Sequence, residues 1–131
     1  MRSHIGKYEL LNPEEPFVGG MANVWIAKDP DLLETVAIKE PKFTDDEDYV
    51  EAFRQEARRL AALTDPNIVE IKFADLGGDP PYLVMEYLPN SLQGLLDKQG
   101  QIAWQRVARF AVQICQALET AHQAFPQVIH R

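Results

Sequence analysis

The sequence predicts an α+β fold: a five-stranded antiparallel sheet with one helix against it, followed by helices of a second body. Three observations carry that expectation. Short β-patterned runs, punctuated by Pro, Gly and Asn, occupy the chain up to Lys39 and return at 68–87. A single helical stripe separates these two sets of strands. After the last strand, apolar residues recur at helical spacing almost to the end of the chain.

In order, Tyr8 to Val18 reads as a strand broken by Asn12, Pro13 and Pro16. Ala22 to Lys28 follows with mostly alternating apolar residues, Val24 and Ile26 sharing one face. Asp29-Pro30-Asp31 is a turn by composition, and Thr35 to Lys39 completes an antiparallel meander. Thr44 with Glu47 three residues on has the form of a capping box, and Asp45, Asp46 and Asp48 suit the positive end of a helix dipole. Phe53, Ala57, Leu60 and Leu63 then form an apolar stripe ending before Pro66. Strands at Ile68–Leu76 and Tyr82–Tyr87 flank the turn Gly77-Gly78-Asp79-Pro80-Pro81. A short helix spans Ser91 to Lys98 and stops at Gly100. Trp104, Val107, Ala108, Ala111, Ile114, Cys115, Leu118 and Ala121 mark the long helix, whose stripe is a core face.

Composition bounds the function. The chain has 131 residues, about one small domain, with 46% hydrophobic and 25% charged residues, as in ordinary globular proteins. A net charge of −7 repels phosphate backbones and anionic lipid, which argues against nucleic acid or a membrane surface as partner. The single cysteine, Cys115, offers neither an internal disulfide nor a zinc cluster, which fits a reducing, cytoplasmic setting. No segment reads as a signal peptide or a membrane span.

Three features carry chemistry. Gly19-Gly20 lies between two strands, where a bare backbone can approach phosphate oxygens; taken alone, the pair is better explained as a plain tight turn, because short Gly patterns recur by chance. Lys39 ends the apolar run Val36-Ala37-Ile38, where lysine ordinarily snorkels into water. Glu56 falls on the apolar stripe of the first helix, three residues after Phe53 and four before Leu60. A carboxylate facing inward needs a partner, whereas one at the stripe's edge reaches water unaided. A Lys39–Glu56 pair accounts for both residues and would hold the ammonium ready for an anionic ligand.

Together these segments resemble the eukaryotic-like (Hanks-type) Ser/Thr protein kinase family. Phe17-Val18-Gly19-Gly20-Met21-Ala22-Asn23-Val24 stands where the family has its Gly-rich loop, with Phe17 and Ala22 replacing the first and third glycines. Val36-Ala37-Ile38-Lys39 matches the V-A-I-K motif in full, and Phe53-Arg54-Gln55-Glu56-Ala57 looks like the glutamate-bearing helix. Asp65-Pro66-Asn67-Ile68-Val69 resembles the family's H-P-N-I-V turn, with Asp for His. Tyr82 to Leu88 resembles the fifth strand and hinge, with Met85 as gatekeeper. Ala121-His122 and Val128-Ile129-His130-Arg131 resemble the approach to the catalytic H-R-D loop. The likeness runs from about Tyr8 to Arg131.

The resemblance implies a kinase small lobe at 1–88 and, at 89–131, the hinge exit and start of a large lobe. It implies ATP and magnesium as cofactors and a protein substrate for the full-length parent. Lys39 would contact the α/β-phosphates and Glu56 would orient it. Val18, Gly19, Gly20, Met21, Ala22, Val24 and Ala37 would surround the nucleotide, with Met85 behind it and backbone groups of Glu86 and Leu88 along the adenine edge. The residues that follow H-R in the family, the catalytic Asp and both magnesium ligands, are not among the 131 given. The expectation is therefore an N-terminal piece of a kinase, inactive by itself, which self-associates through the 103–122 helix because that helix's apolar stripe lacks a cover. Two alternatives stand beside it: a kinase-like binding or regulatory module without catalysis, and a small-molecule kinase of related fold. Arg131 and the Pro66-Asn67-Ile68-Val69 turn count against the latter, which usually carries His-Gly-Asp.

Overall fold

A computed structural model describes residues 1–124, so the Val128-Ile129-His130-Arg131 resemblance lies outside the described residues. Two compact units are present. The first comprises Met1–Ala61 and Glu70–Tyr87; the second comprises Ala62–Val69 and the chain from Leu88 onward.

The first unit is an antiparallel sheet with one helix. In chain order it contains β1 (His4–Ile5), β2 (Tyr8–Leu10), β3 (Phe17–Val18), β4 (Ala22–Lys28), β5 (Thr35–Pro41), α1 (Glu47–Ala61), β6 (Ile71–Asp75) and β7 (Tyr82–Glu86). The strand order is β1-β2-β4-β5-β7-β6, with β3 paired to β4 beside β2. The α+β class holds, but the expected first strand arrives as two short pieces, β2 and β3, and β1 is added before it, giving a 7-stranded sheet. The reason is Asn12. Its side chain accepts from Ile26 N–H at 2.8 Å and donates to Glu15 O at 2.7 Å, so a loop replaces the ladder between β2 and β3.

Strand alternation divides the sheet into two faces. On one, Ile5, Tyr8, Leu10, Ala27, Val36, Ile38 and Val84 are buried together, with Trp25 and Tyr82 packed against them. On the other, Leu83 meets Phe53 and Ala57 of α1, with Ile71, Ala74 and Leu76 alongside. Burying these side chains drives the assembly, at roughly 25 cal/mol per Å² of apolar surface.

A charged residue, Glu40, sits beside this packing. It is only 5% exposed, and its carboxylate accepts from Trp25 Nε1 at 2.8 Å and from Arg2 Nη1 at 2.9 and 3.1 Å. These partners offset the cost of removing a carboxylate from water.

Helix α1 begins later than the Thr44 capping box implies. Asp46 Oδ1 accepts from Tyr49 N–H at 3.1 Å, and Asp46 O accepts from Val50 N–H at 3.0 Å, so Asp46 is the cap. Aspartate is at least as good a cap as threonine, and Glu47 and Asp48 then fill the first turn at the dipole's positive end.

In the second unit, α2 (Leu92–Gln99) is capped by Ser91, whose Oγ accepts from Gly94 N–H at 3.0 Å. It ends at Gly100, whose φ of 72° is a left-handed conformation that glycine adopts without strain. The long α3 (Trp104–Gln123) uses its polar side within this unit. Thr120 Oγ1 donates to Asp65 Oδ2 at 2.5 Å and Asn67 Nδ2 donates to Gln116 Oε1 at 3.2 Å. These bonds explain why Ala62–Val69, inside the stretch expected to belong to the first lobe, groups with the second unit instead. The opposite, apolar side of α3 is open: Trp104 is 75% exposed, and Val107 and Ile114 are also exposed.

The Asp65 contact makes an acid limb expected. Hydrogen bonds from the Thr120 hydroxyl and then from Asn67 N–H hold its carboxyl below the usual aspartate value. A folded value below the unfolded one means the contribution is complete above about pH 4 and disappears as acid protonates Asp65. In an NMR titration the Asn67 amide is expected to shift with a midpoint below about pH 4. Asp65→Asn should abolish that shift, and a variant that retains it would show another group at work.

Candidate nucleotide site

The site is built on one face of the sheet in the first unit. Register places Val24 opposite Lys39, Ile26 opposite Ala37, Ala37 opposite Met85, and Lys39 opposite Leu83. Val24, Ala37, Lys39 and Met85 therefore share the face that α1 partly covers, as residues paired directly across antiparallel strands must. Ala37 is buried and Val24 and Met85 are half-buried, so together they form an apolar floor ending in an ammonium.

Lys39 Nζ lies 3.3 Å from Glu56 Oε1. The pair is close but wet: the side chains are 27% and 58% exposed. Glu56 thus departs from its expected inward placement. It stands at the stripe's edge, with Phe53 and Ala57 taking the buried positions, and reaches Lys39 from there. A pair so exposed contributes about 0–1 kcal/mol to stability. Its consequence is orientation, since a lysine tethered at one side keeps its other N–H donors for an anion.

The glycine turn joins β3 to β4. Phe17 pairs with Val24 and Val18 with Asn23, and Gly19 N–H donates to Ala22 O at 2.9 Å, closing a tight hairpin. The two glycines differ in what they need. A Cβ on Gly19 would lie 3.1 Å from Ala22 O, so the turn itself favours glycine there. A Cβ on Gly20 would meet nothing within 4 Å, and Gly20 is not among the positive-φ residues. Neither backbone strain nor a neighbouring protein atom calls for glycine at 20. A group from outside the chain, brought close to the backbone, would. Val18 and Met21 are exposed beside this turn, while Ala22 is buried.

The remaining expected residues lie at the end of β7. Glu86 donates its N–H to Glu70 O at 3.0 Å, and its carboxylate accepts from Glu70 N–H at 2.9 Å. The Glu86 N–H is therefore already engaged by Glu70. Leu88, 60% exposed, is the first residue of the second unit after the strand. Among the described residues no group of three or more His, Cys, Asp or Glu is arranged to hold a metal ion.

One contact escaped the sequence reading. The Tyr49 hydroxyl, in the first turns of α1, donates to the carbonyl of Met21 in the glycine turn. Its spacing gives a signal: Tyr49, Phe53 and Glu56 fall on one helical face at intervals of four and three.

Comparison with known proteins follows the same lines. The sequence model of the protein kinase domain matches residues 18–131. The chain is 38% identical over 121 residues to a probable serine/threonine-protein kinase of Clostridium acetobutylicum, covering 90% of this chain and 18% of that protein. It is 37% identical over 131 residues to the serine/threonine-protein kinase PrkC of Bacillus subtilis, covering 96% of this chain and 19% of that one. It is 36% identical over 122 residues to the serine/threonine-protein kinase PknB of Mycolicibacterium smegmatis, covering 86% and 19%. The chain thus spans about a fifth of the length of these curated relatives.

Proposed function

Because the chain belongs to the protein kinase domain family, we propose that it is the ATP-binding portion of a serine/threonine protein kinase. The parent would transfer the γ-phosphoryl group of ATP to protein hydroxyls. The observation that carries this reading is the Lys39–Glu56 pair, 3.3 Å apart, on the same sheet face as Val24, Ala37 and Met85. Apolar floor and fixed ammonium suit the two ends of a nucleotide: a flat base at one, phosphates at the other.

In this reading Val24 and Ala37 pack on the adenine, and Met85 limits its depth. The Glu86 carbonyl takes the base's hydrogen-bonding edge. Lys39 contacts the α/β-phosphates, and Glu56 restricts where its ammonium can go, so less entropy is lost on binding. Gly19, Gly20 and Met21 form the backbone that approaches the phosphates, with Gly20 leaving the approach clear. Magnesium would neutralise phosphate charge when bound; no described residue is assigned to hold it. Self-association through the 103–122 helix belongs to the same reading, supported by the exposed Trp104, Val107 and Ile114.

Calorimetric titration tests the reading. The 131-residue protein is expected to bind ATP saturably and about tenfold to a hundredfold tighter than adenosine, because charge-assisted bonds to phosphate are worth about 1.5–3 kcal/mol. Absence of saturable binding by both compounds would overturn it.

A further inference from the structure

We propose that Tyr49 is a positioning residue: its hydroxyl ties the glycine turn to α1, so that the turn and the helix bearing Glu56 shift together. What this tie does for phosphates rests on the nucleotide reading above; the tie itself does not.

The contact converges on one atom. The Met21 carbonyl accepts from the Tyr49 hydroxyl and from Lys42 N–H at 3.4 Å. The corner of the turn, the segment leaving β5 and the start of α1 thus meet at a single acceptor. Little else restrains that corner. Met21 is 65% exposed and the space around Gly20 is open, so hydrogen bonds rather than packing hold the turn.

Tyr49 is itself held from two sides. Its ring meets Phe43 edge-on, with centroids 5.4 Å apart and planes at 74°, which directs the hydroxyl. Its N–H is bonded to the Asp46 cap at 3.1 Å, which fixes its place in the first turn of the helix. Tyr49 and Glu56 are two helical turns apart on one face. A displacement of the turn is passed through a rigid helix to Glu56, and from there to Lys39, 3.3 Å away. Phosphates that settle the turn would also settle the lysine.

Tyr49→Phe removes only the hydroxyl and keeps the edge contact with Phe43. Hydrogen exchange without ligand is the first measurement. The Gly19 and Lys42 amides are expected to exchange several-fold faster in the variant, while α1 amides beyond its first turn keep their protection. Unchanged exchange at Gly19 and Lys42 would overturn the tie, whatever the protein binds. ATP and adenosine titrations are the second measurement. Losing one net hydrogen bond should weaken ATP about threefold to tenfold and leave adenosine unchanged. An equal weakening of both would mean a general loss of structure and would also overturn it. If the wild type binds neither compound, the nucleotide reading fails, and exchange alone decides the role of Tyr49.

Discussion

Ile38→Ala is expected to destabilise the first unit by about 2–5 kcal/mol, the cost of a large-to-small change in a packed core. Ile38 is 0% exposed, and its strand β5 lies between β4 and β7, so no edge lets the sheet collapse into the gap. Trp25 stands opposite it on one side and Val84 on the other. Deleting three side-chain carbons removes contacts with both neighbours at once. Small domains have only about 5–15 kcal/mol of stability, so the loss is a large share of the total. In urea the midpoint should fall at constant slope, and Ile38→Val should cost about 0.5–1.5 kcal/mol. A loss for Ile38→Ala no greater than that of Ile38→Val would show that the site relaxes freely.

Lys39→Ala is expected to weaken ATP about tenfold to a hundredfold, the equivalent of about 1.5–3 kcal/mol for charge-assisted hydrogen bonds. Adenosine affinity should not change, because the ammonium serves the phosphate end. Stability should change little, because the pair with Glu56 is exposed to water. Lys39→Arg keeps the charge but replaces a compact ammonium with a longer planar fork, and should restore only part of the affinity. Titration of both nucleotides with each variant, beside a thermal melt, separates these effects. If Lys39→Ala lowers ATP and adenosine affinity equally, Lys39 is not the phosphate contact.

Where local chemistry dominates, the structure follows the sequence reading closely. Strand β4 runs from Ala22 to Lys28, within the limits drawn from alternation alone, because it is paired along both edges and its period-2 pattern is enforced. Helix α2 begins after Ser91 and ends at Gly100, since a hydroxyl cap and a left-handed glycine act on their own neighbours. Long-range contacts were the illegible part. Asn12 splits the first strand by bonding to Ile26, fourteen residues away, and Glu40 is buried because Arg2 and Trp25 reach it. Periodicity put Glu56 on the inward stripe, yet it cannot tell the centre of a stripe from its edge. In the sequence Asp65 is only a departure from histidine, whereas in the structure its carboxylate accepts from Thr120 within the second unit. The Tyr49–Met21 contact uses a backbone carbonyl as acceptor, and every residue has one of those.

The two tryptophans fall one to each compact unit, in opposite surroundings. The Trp25 indole is half-buried, with its N–H bonded to Glu40, whereas Trp104 stands 75% exposed on α3. At dilutions where the chain is not self-associated, their fluorescence therefore divides by colour: bluer emission from Trp25 against redder, readily quenched emission from Trp104. Acrylamide would silence one lamp before the other, so a single cuvette can follow the sheet and the long helix separately, without an added dye.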